Sequence, residues 1–188
     1  MSLLALLTRV QVTPPTDPTP GPGGIDPATL TDLNVVGAVA RYSRGAALAA
    51  EDRTWQAPLT LNAPVRELHL LYSSDTNGNP ATIAAAIEHG GKVYPATFAG
   101  QARATISGTG ASQWATGVVT LPAPLPKGTE IRVRTFATAG SRIMQGMAGQ
   151  GGPAQSAAGD LTTAGAGPIQ VNKGVVANRV TPVAMLGK

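Results

Sequence analysis

The sequence predicts an all-β protein, an antiparallel β-sandwich of jelly-roll-like type with an extended N-terminal arm and a Gly/Ala-rich C-terminal segment. Three observations predict it. Glycine and proline number 23 and 16 among 188 residues, a density of helix breakers that leaves little room for long helices. Short apolar stretches between turn residues recur from Ile25 to Thr138, the spacing of sandwich strands. Two segments of period two flank Gly90-Gly91, and adjacent glycines supply the positive φ of a two-residue hairpin turn.

Three regions follow. Residues 1–24 read as an arm and linker, because Pro14, Pro15, Pro18, Pro20 and Pro22 favour extended polyproline over helix or central strand. Leu3, Leu4, Leu6, Leu7 and Val10 are its candidate assembly contacts, too few to make a core alone yet able to bury on a partner. Residues 25–138 read as the sandwich, opened by a single helical turn at Asp26-Pro27, with strands at 33–42, 59–61, 66–72, 82–88, 92–98, 104–107, 117–121 and 130–136. Alternation places Leu68, Leu70 and Tyr72 on one face. It places Ile131, Val133 and Thr135 inward, with Glu130, Arg132 and Arg134 on a wet face. Pro122, Pro124, Pro126 and Gly128 form the turn before that last strand. Residues 139–188 read as a Gly/Ala-rich loop, or an arm laid on a neighbour, because the stretch to Gly167 has too little apolar mass to order itself. β character returns at 169–171 and 175–185, for one or two C-terminal strands.

The composition excludes several chemistries. There is no cysteine, so disulfides, thiol catalysis and zinc-thiolate sites are absent. The net charge of +4 is scattered without a basic stripe, so no nucleic-acid partner is expected. The apolar run at the N-terminus is too short to span a bilayer, so no membrane insertion is expected. His69 and His89 lack metal-ligand spacing, and no metal or cofactor is expected. Asp75, Asn77 and Asn79 alternate like calcium ligands but lack a distal acidic partner, and Asx turns explain them equally. Glu51-Asp52 reads as a solvated loop rather than an acid-base pair. Neither a G-x-S-x-G nor a Gly-Asp-Ser element occurs, so no catalytic residue is assigned and no enzymatic activity is expected. Trp55 leads into the Leu59 and Leu61 strand and reads as core. Trp114, in a polar stretch, is the candidate glycan contact.

A resemblance adds to these readings. The run Ala81-Thr82-Ile83-Ala84-Ala85-Ala86-Ile87-Glu88-His89-Gly90-Gly91-Lys92-Val93-Tyr94-Pro95-Ala96-Thr97-Phe98-Ala99-Gly100-Gln101, followed by Leu125-Pro126-Lys127-Gly128-Thr129-Glu130-Ile131-Arg132-Val133-Arg134-Thr135, resembles a β-sandwich module that precedes SGNH (GDSL-type) hydrolase domains in phage, prophage and environmental bacterial proteins. It covers about 80 residues, from Val65 to Phe136. Val180 to Gly187 resembles the approach to the hydrolase, but no nucleophile block accompanies it, so the expectation is the module without the enzyme. The resemblance implies a non-enzymatic structural protein of a phage virion surface: a tail fibre, head fibre or capsid decoration subunit. Its implied partners are other capsid or tail proteins and further copies of itself, a trimer by analogy with fibres, with a host surface glycan as a further candidate. The alternatives are a carbohydrate-binding accessory module of an SGNH-type esterase, and an esterase fragment completed by another chain.

Overall fold

The computed structural model describes residues 33–37, 42–49, 51–74, 78–107, 114–146, 155–169 and 180–188, and among them there is no helix. The strands are β1 (Asn34–Gly37), β2 (Tyr42–Leu48), β3 (Arg53–Thr60), β4 (Val65–Ser73), β5 (Ala81–His89), β6 (Lys92–Pro95), β7 (Ala104–Ile106), β8 (Trp114–Leu125), β9 (Glu130–Ala137), β10 (Arg142–Gly146), β11 (Gln155–Ala158) and β12 (Ala184–Gly187). A four-stranded sheet runs β1-β12-β4-β8, and a six-stranded sheet runs β11-β3-β9-β5, with β6 and β7 both paired to the far edge of β5. A separate pair joins β10 to β2. Every described pairing between strands is antiparallel.

The two larger sheets pack face to face as a sandwich. Alternation sends Leu68, Leu70 and Tyr72 of β4, Ile83, Ala85 and Ile87 of β5, and Ile131 and Val133 of β9 into one shared core. Trp55 on β3 lies in the same core at 3% exposure, filling space that an aliphatic set this small cannot. One polar contact crosses the layer: the Tyr72 hydroxyl lies 2.9 Å from Thr135 Oγ1. Burial pushes the Tyr72 hydroxyl well above the usual phenol range, opposed in part by that hydrogen bond.

One side of the sandwich is closed by a strand that changes sheets. After β6 the chain leaves the six-stranded sheet, and Thr97 exchanges both main-chain hydrogen bonds with Val118 of β8, at 2.9 and 2.8 Å. The Phe98 ring then lies over Gly117, where an added Cβ would come within 2.8 Å of Phe98 Cζ. The β5–β6 turn forms as expected, with φ of +57° at Gly90 and +73° at Gly91.

Several boundaries differ from those read in the sequence. The 33–42 segment divides: β1 pairs with β12 while β2 pairs with β10. β3 begins at Arg53 and contains Trp55. Pro122 and Pro124 do not end β8, which runs to Leu125. β8 is an edge of its sheet, where a missing amide is tolerated. The turn instead falls at Pro126 to Thr129, where Thr129 N and Oγ1 both donate to the Pro126 carbonyl. Ile169 is buried but not in a strand, and β12 is the described strand near the C-terminus.

The largest correction concerns the Gly/Ala-rich segment. Residues 155–158 form an edge strand on β3, and residues 159–169 lie across the outer face of this chain's own six-stranded sheet. A buried charged cluster holds them there, beside the buried outward side chains of Ala84, Ala86 and Phe136 and the buried Ile169.

Candidate functional site

Alternation on β3, β5 and β9 points Gln56, Glu88 and Arg134 away from the core, onto the outer face of the six-stranded sheet. The register brings them together: Gln56 pairs with Arg134 across β3 and β9, and Ala86 pairs with Arg134 across β5 and β9, two residue pairs along from Glu88 opposite Arg132 and so on the same face. Arg134 Nη2 donates to Glu88 Oε2 at 2.7 Å. Gln56 Nε2 donates to the same oxygen at 2.8 Å, and Arg132 Nη1 reaches Glu88 Oε1 at 3.2 Å.

The remaining valences of this cluster go to main chain. Arg134 Nη1 donates to the carbonyls of Leu161 and Ala164, at 2.8 and 3.1 Å. Its Nη2 donates to those of Gly165 and Gly167, at 2.9 and 3.1 Å. Gly167 N donates to Glu88 Oε1 at 3.0 Å, Gln56 Nε2 donates to the Gly167 carbonyl at 3.1 Å, and Ile169 N donates to Gln56 Oε1 at 3.3 Å. A guanidinium offers five donors in a fixed fork. Here four carbonyls and one carboxylate fill the two terminal nitrogens, while Arg134 Nε has no partner among the described residues. Arg134 is 0% exposed and Glu88 6%, so the expected wet face is wet only at its margin, where the Arg132 side chain stays 40% exposed. The physical reason is that 159–169 covers it, and burial of a charge pair is tolerated because nearly every polar atom is met.

Two further fastenings hold the covering segment. Thr54 Oγ1 donates to the Gly159 carbonyl and accepts from Leu161 N, at 2.7 and 2.9 Å. Arg103 stacks over the Phe136 ring at 4.8 Å from its centroid and pairs with Asp160 Oδ2 at 2.8 Å. Burial acts to raise the Asp160 carboxyl, but the hydrogen bonds from Thr162 Oγ1 and N, together with Arg103, outweigh it and hold the carboxyl below the usual range.

On the four-stranded sheet a smaller group forms. Glu67 Oε1 takes His69 Nε2 at 2.8 Å and Lys188 Nζ at 3.1 Å, and these two contacts lower the Glu67 carboxyl against a smaller opposing effect of burial. His69 is thus a partly buried sheet residue joined to a carboxylate. His89 stands elsewhere, its Nδ1 3.3 Å from the Glu130 carbonyl.

Of the residues singled out in the sequence, Leu3, Leu4, Leu6, Leu7 and Val10 lie outside the described residues, as do Asp75 and Asn77. Trp114 opens β8 opposite Ser73 and is half-buried, so it belongs to a strand end rather than to a loop. Glu51 is exposed and paired with Arg53, and Asp52 Oδ1 accepts from Ala139 N. No group of three or more metal-ligating side chains occurs among the described residues. Gln56, Glu88 and Arg134 were missed by sequence reasoning. Opposite charges on outward positions of β5 and β9 were their one signal, and that signal does not reveal what covers them. Neither a protein-family model nor a curated protein matches the chain.

Proposed function

We propose that the chain is a non-enzymatic structural protein of a phage virion surface, a fibre or decoration subunit. The observation that supports this best is the use made of its buried polar groups: Gln56, Glu88 and Arg134 bind the chain's own main chain and are covered by it. The sandwich is also the fold implied by the resemblance of the 81–101 and 125–135 segments. The arm of residues 1–24, with Leu3, Leu4, Leu6, Leu7 and Val10, makes the attachment, and homotrimeric assembly suits it.

The test is deletion of residues 1–24, followed by measurement of sandwich stability and of incorporation into particles. A folded domain that no longer assembles is expected, and normal incorporation removes the arm from the mechanism. Turnover of short acyl esters that vanishes on one Ser→Ala change would overturn the non-enzymatic reading. A half-buried Trp114 favours one second reading, a glycan-binding accessory module. Glycan binding lost in Trp114→Ala at unchanged melting temperature would select it.

A further inference from the structure

We propose that His69 and Thr116 hold one internal water on the outer face of the four-stranded sheet, with His69 fixed as the neutral ring that carries its proton on Nε2. The inference concerns this face alone and does not depend on where the protein works.

Two polar atoms on this face are shut away from solvent without a hydrogen-bond partner among the described residues, His69 Nδ1 and Thr116 Oγ1. They sit on adjacent strands. His69 pairs with Val118 and Leu71 pairs with Thr116 across β4 and β8, so alternation sends both side chains outward as diagonal neighbours. Such neighbours lie about 7 to 8 Å apart at the backbone, less at their side chains. A water making two hydrogen bonds bridges atoms roughly 5 to 6 Å apart. Exposure is slight at both residues, 13% for the His69 side chain and 1% for Thr116.

The chemistry of the two atoms selects the ligand. Glu67 Oε1 lies 2.8 Å from His69 Nε2, and the Glu67 carboxyl is held below its usual range, so it is a carboxylate that only accepts. Nε2 therefore carries the proton, and Nδ1 of the neutral ring offers a lone pair. Thr116 offers a hydroxyl proton. The surroundings supply no other polar partner: Leu71, Ala184 and Leu186 are buried, and the register sets Ala184 opposite Leu71 and Leu186 opposite His69. Leaving two buried polar atoms unmet costs more than immobilising one water. A water accepts from Thr116 and donates to Nδ1, which meets both. An anion would face the Nδ1 lone pair, and a metal ion would need more ligands than one nitrogen and one hydroxyl.

The water gives His69 a place in a longer chain of contacts. Glu67 Oε1 also takes Lys188 Nζ at 3.1 Å, so polar contacts run from the residue after β12, through β4, to β8. They cross the sheet on the side away from the core.

The test reads the ring and the water separately. Full-length protein labelled in nitrogen is studied at about pH 8, above the ordinary histidine range, where a long-range proton–nitrogen spectrum shows which ring nitrogen of His69 is protonated. A crystal structure that orders internal waters locates the bridge. Expected are a proton on Nε2, none on Nδ1, and one water within about 3.2 Å of both Nδ1 and Thr116 Oγ1. Thr116→Val keeps the shape and removes the hydroxyl. It should lower the melting temperature and shift the Nδ1 resonance, whereas Thr116→Ser should leave that resonance as in the wild type. A raised melting temperature in Thr116→Val with an unchanged Nδ1 resonance overturns the site, because that is the response of a buried hydroxyl with no partner. A proton on Nδ1 overturns the assigned ring form, and a direct hydrogen bond between His69 and Thr116 in the crystal overturns the water.

Discussion

The β5–β6 hairpin and the 155–169 clasp sit on the same sheet and are held by opposite means. The hairpin is local: two glycines at positive φ, then Ile87 opposite Tyr94 and Glu88 opposite Val93. The clasp is distant in sequence from everything that binds it, with hydrogen bonds spanning 27 to 113 residues. One face of the sheet is therefore organised by apolar alternation and the other chiefly by polar side chains, Arg134 foremost, that bind main-chain atoms. The lesson is that a Gly/Ala-rich stretch can be ordered without a core of its own, provided that another element carries its hydrogen-bond partners.

The largest expected effect comes from the apolar side of that comparison. Trp55→Ala should lower global stability by about 3 to 5 kcal/mol, read as a shift of the whole urea transition. On the polar side, Arg134→Ala should cost about 3 kcal/mol, the low end for breaking a buried pair, because Glu88 regains water once the clasp departs. Its signature differs: amide exchange should accelerate at 161–169 before the core strands respond. Equal acceleration throughout would erase the distinction between the two faces.

Within the hairpin, Gly91→Val should cost about 1 to 3 kcal/mol for a branched side chain held at positive φ. A loss confined to stability, with clasp exchange rates unchanged, would keep the two regions separate. Acid offers a gentler probe of the clasp. Asp160 is held below its ordinary pKa, so its contribution is complete above the ordinary carboxylate range, begins to fade as pH falls below about 4, and disappears below the lowered value. Asp160→Asn should remove that part of the acid dependence, measured by amide exchange at 161–169. The smallest effect is expected at the second glycine-containing turn, where Ala99 has φ of +49° before Gly100. Ala99→Gly relieves a left-handed alanine and should stabilise by about 0.5 to 1 kcal/mol.

How much of this was legible follows the same division. Gly90-Gly91 declares a turn wherever it occurs between alternating segments, and Leu68, Leu70 and Tyr72 declare a buried face by spacing alone. Trp55 reads correctly as core because Ala57 and Leu59 follow it at alternate positions of the same strand. Arg134 was misread, since alternation tells only that it faces away from Ile131 and Val133. Whether that side is water or protein depends on residues 161–167, whose small side chains carry no pattern. The carbonyls that decide the matter belong to every residue type and leave no mark on a sequence. Pro122 and Pro124 misled for a related reason: a proline breaks a ladder only where a neighbour strand needs its amide, and β8 is an edge.

The placement of β12 has a consequence for synthesis. Residues 184–187 lie between β1 and β4, and the Lys188 carbonyl accepts from the amides of both Arg66 and Glu67. The four-stranded sheet therefore has a missing middle until its latest described strand has been made. From Ser73 to Gly187 the ribosome adds 114 residues, which takes about 6 to 23 s at about 5 to 20 residues per second. For that interval β4 lacks the partner that β12 becomes, and an unpaired strand edge is where incomplete chains pair with one another.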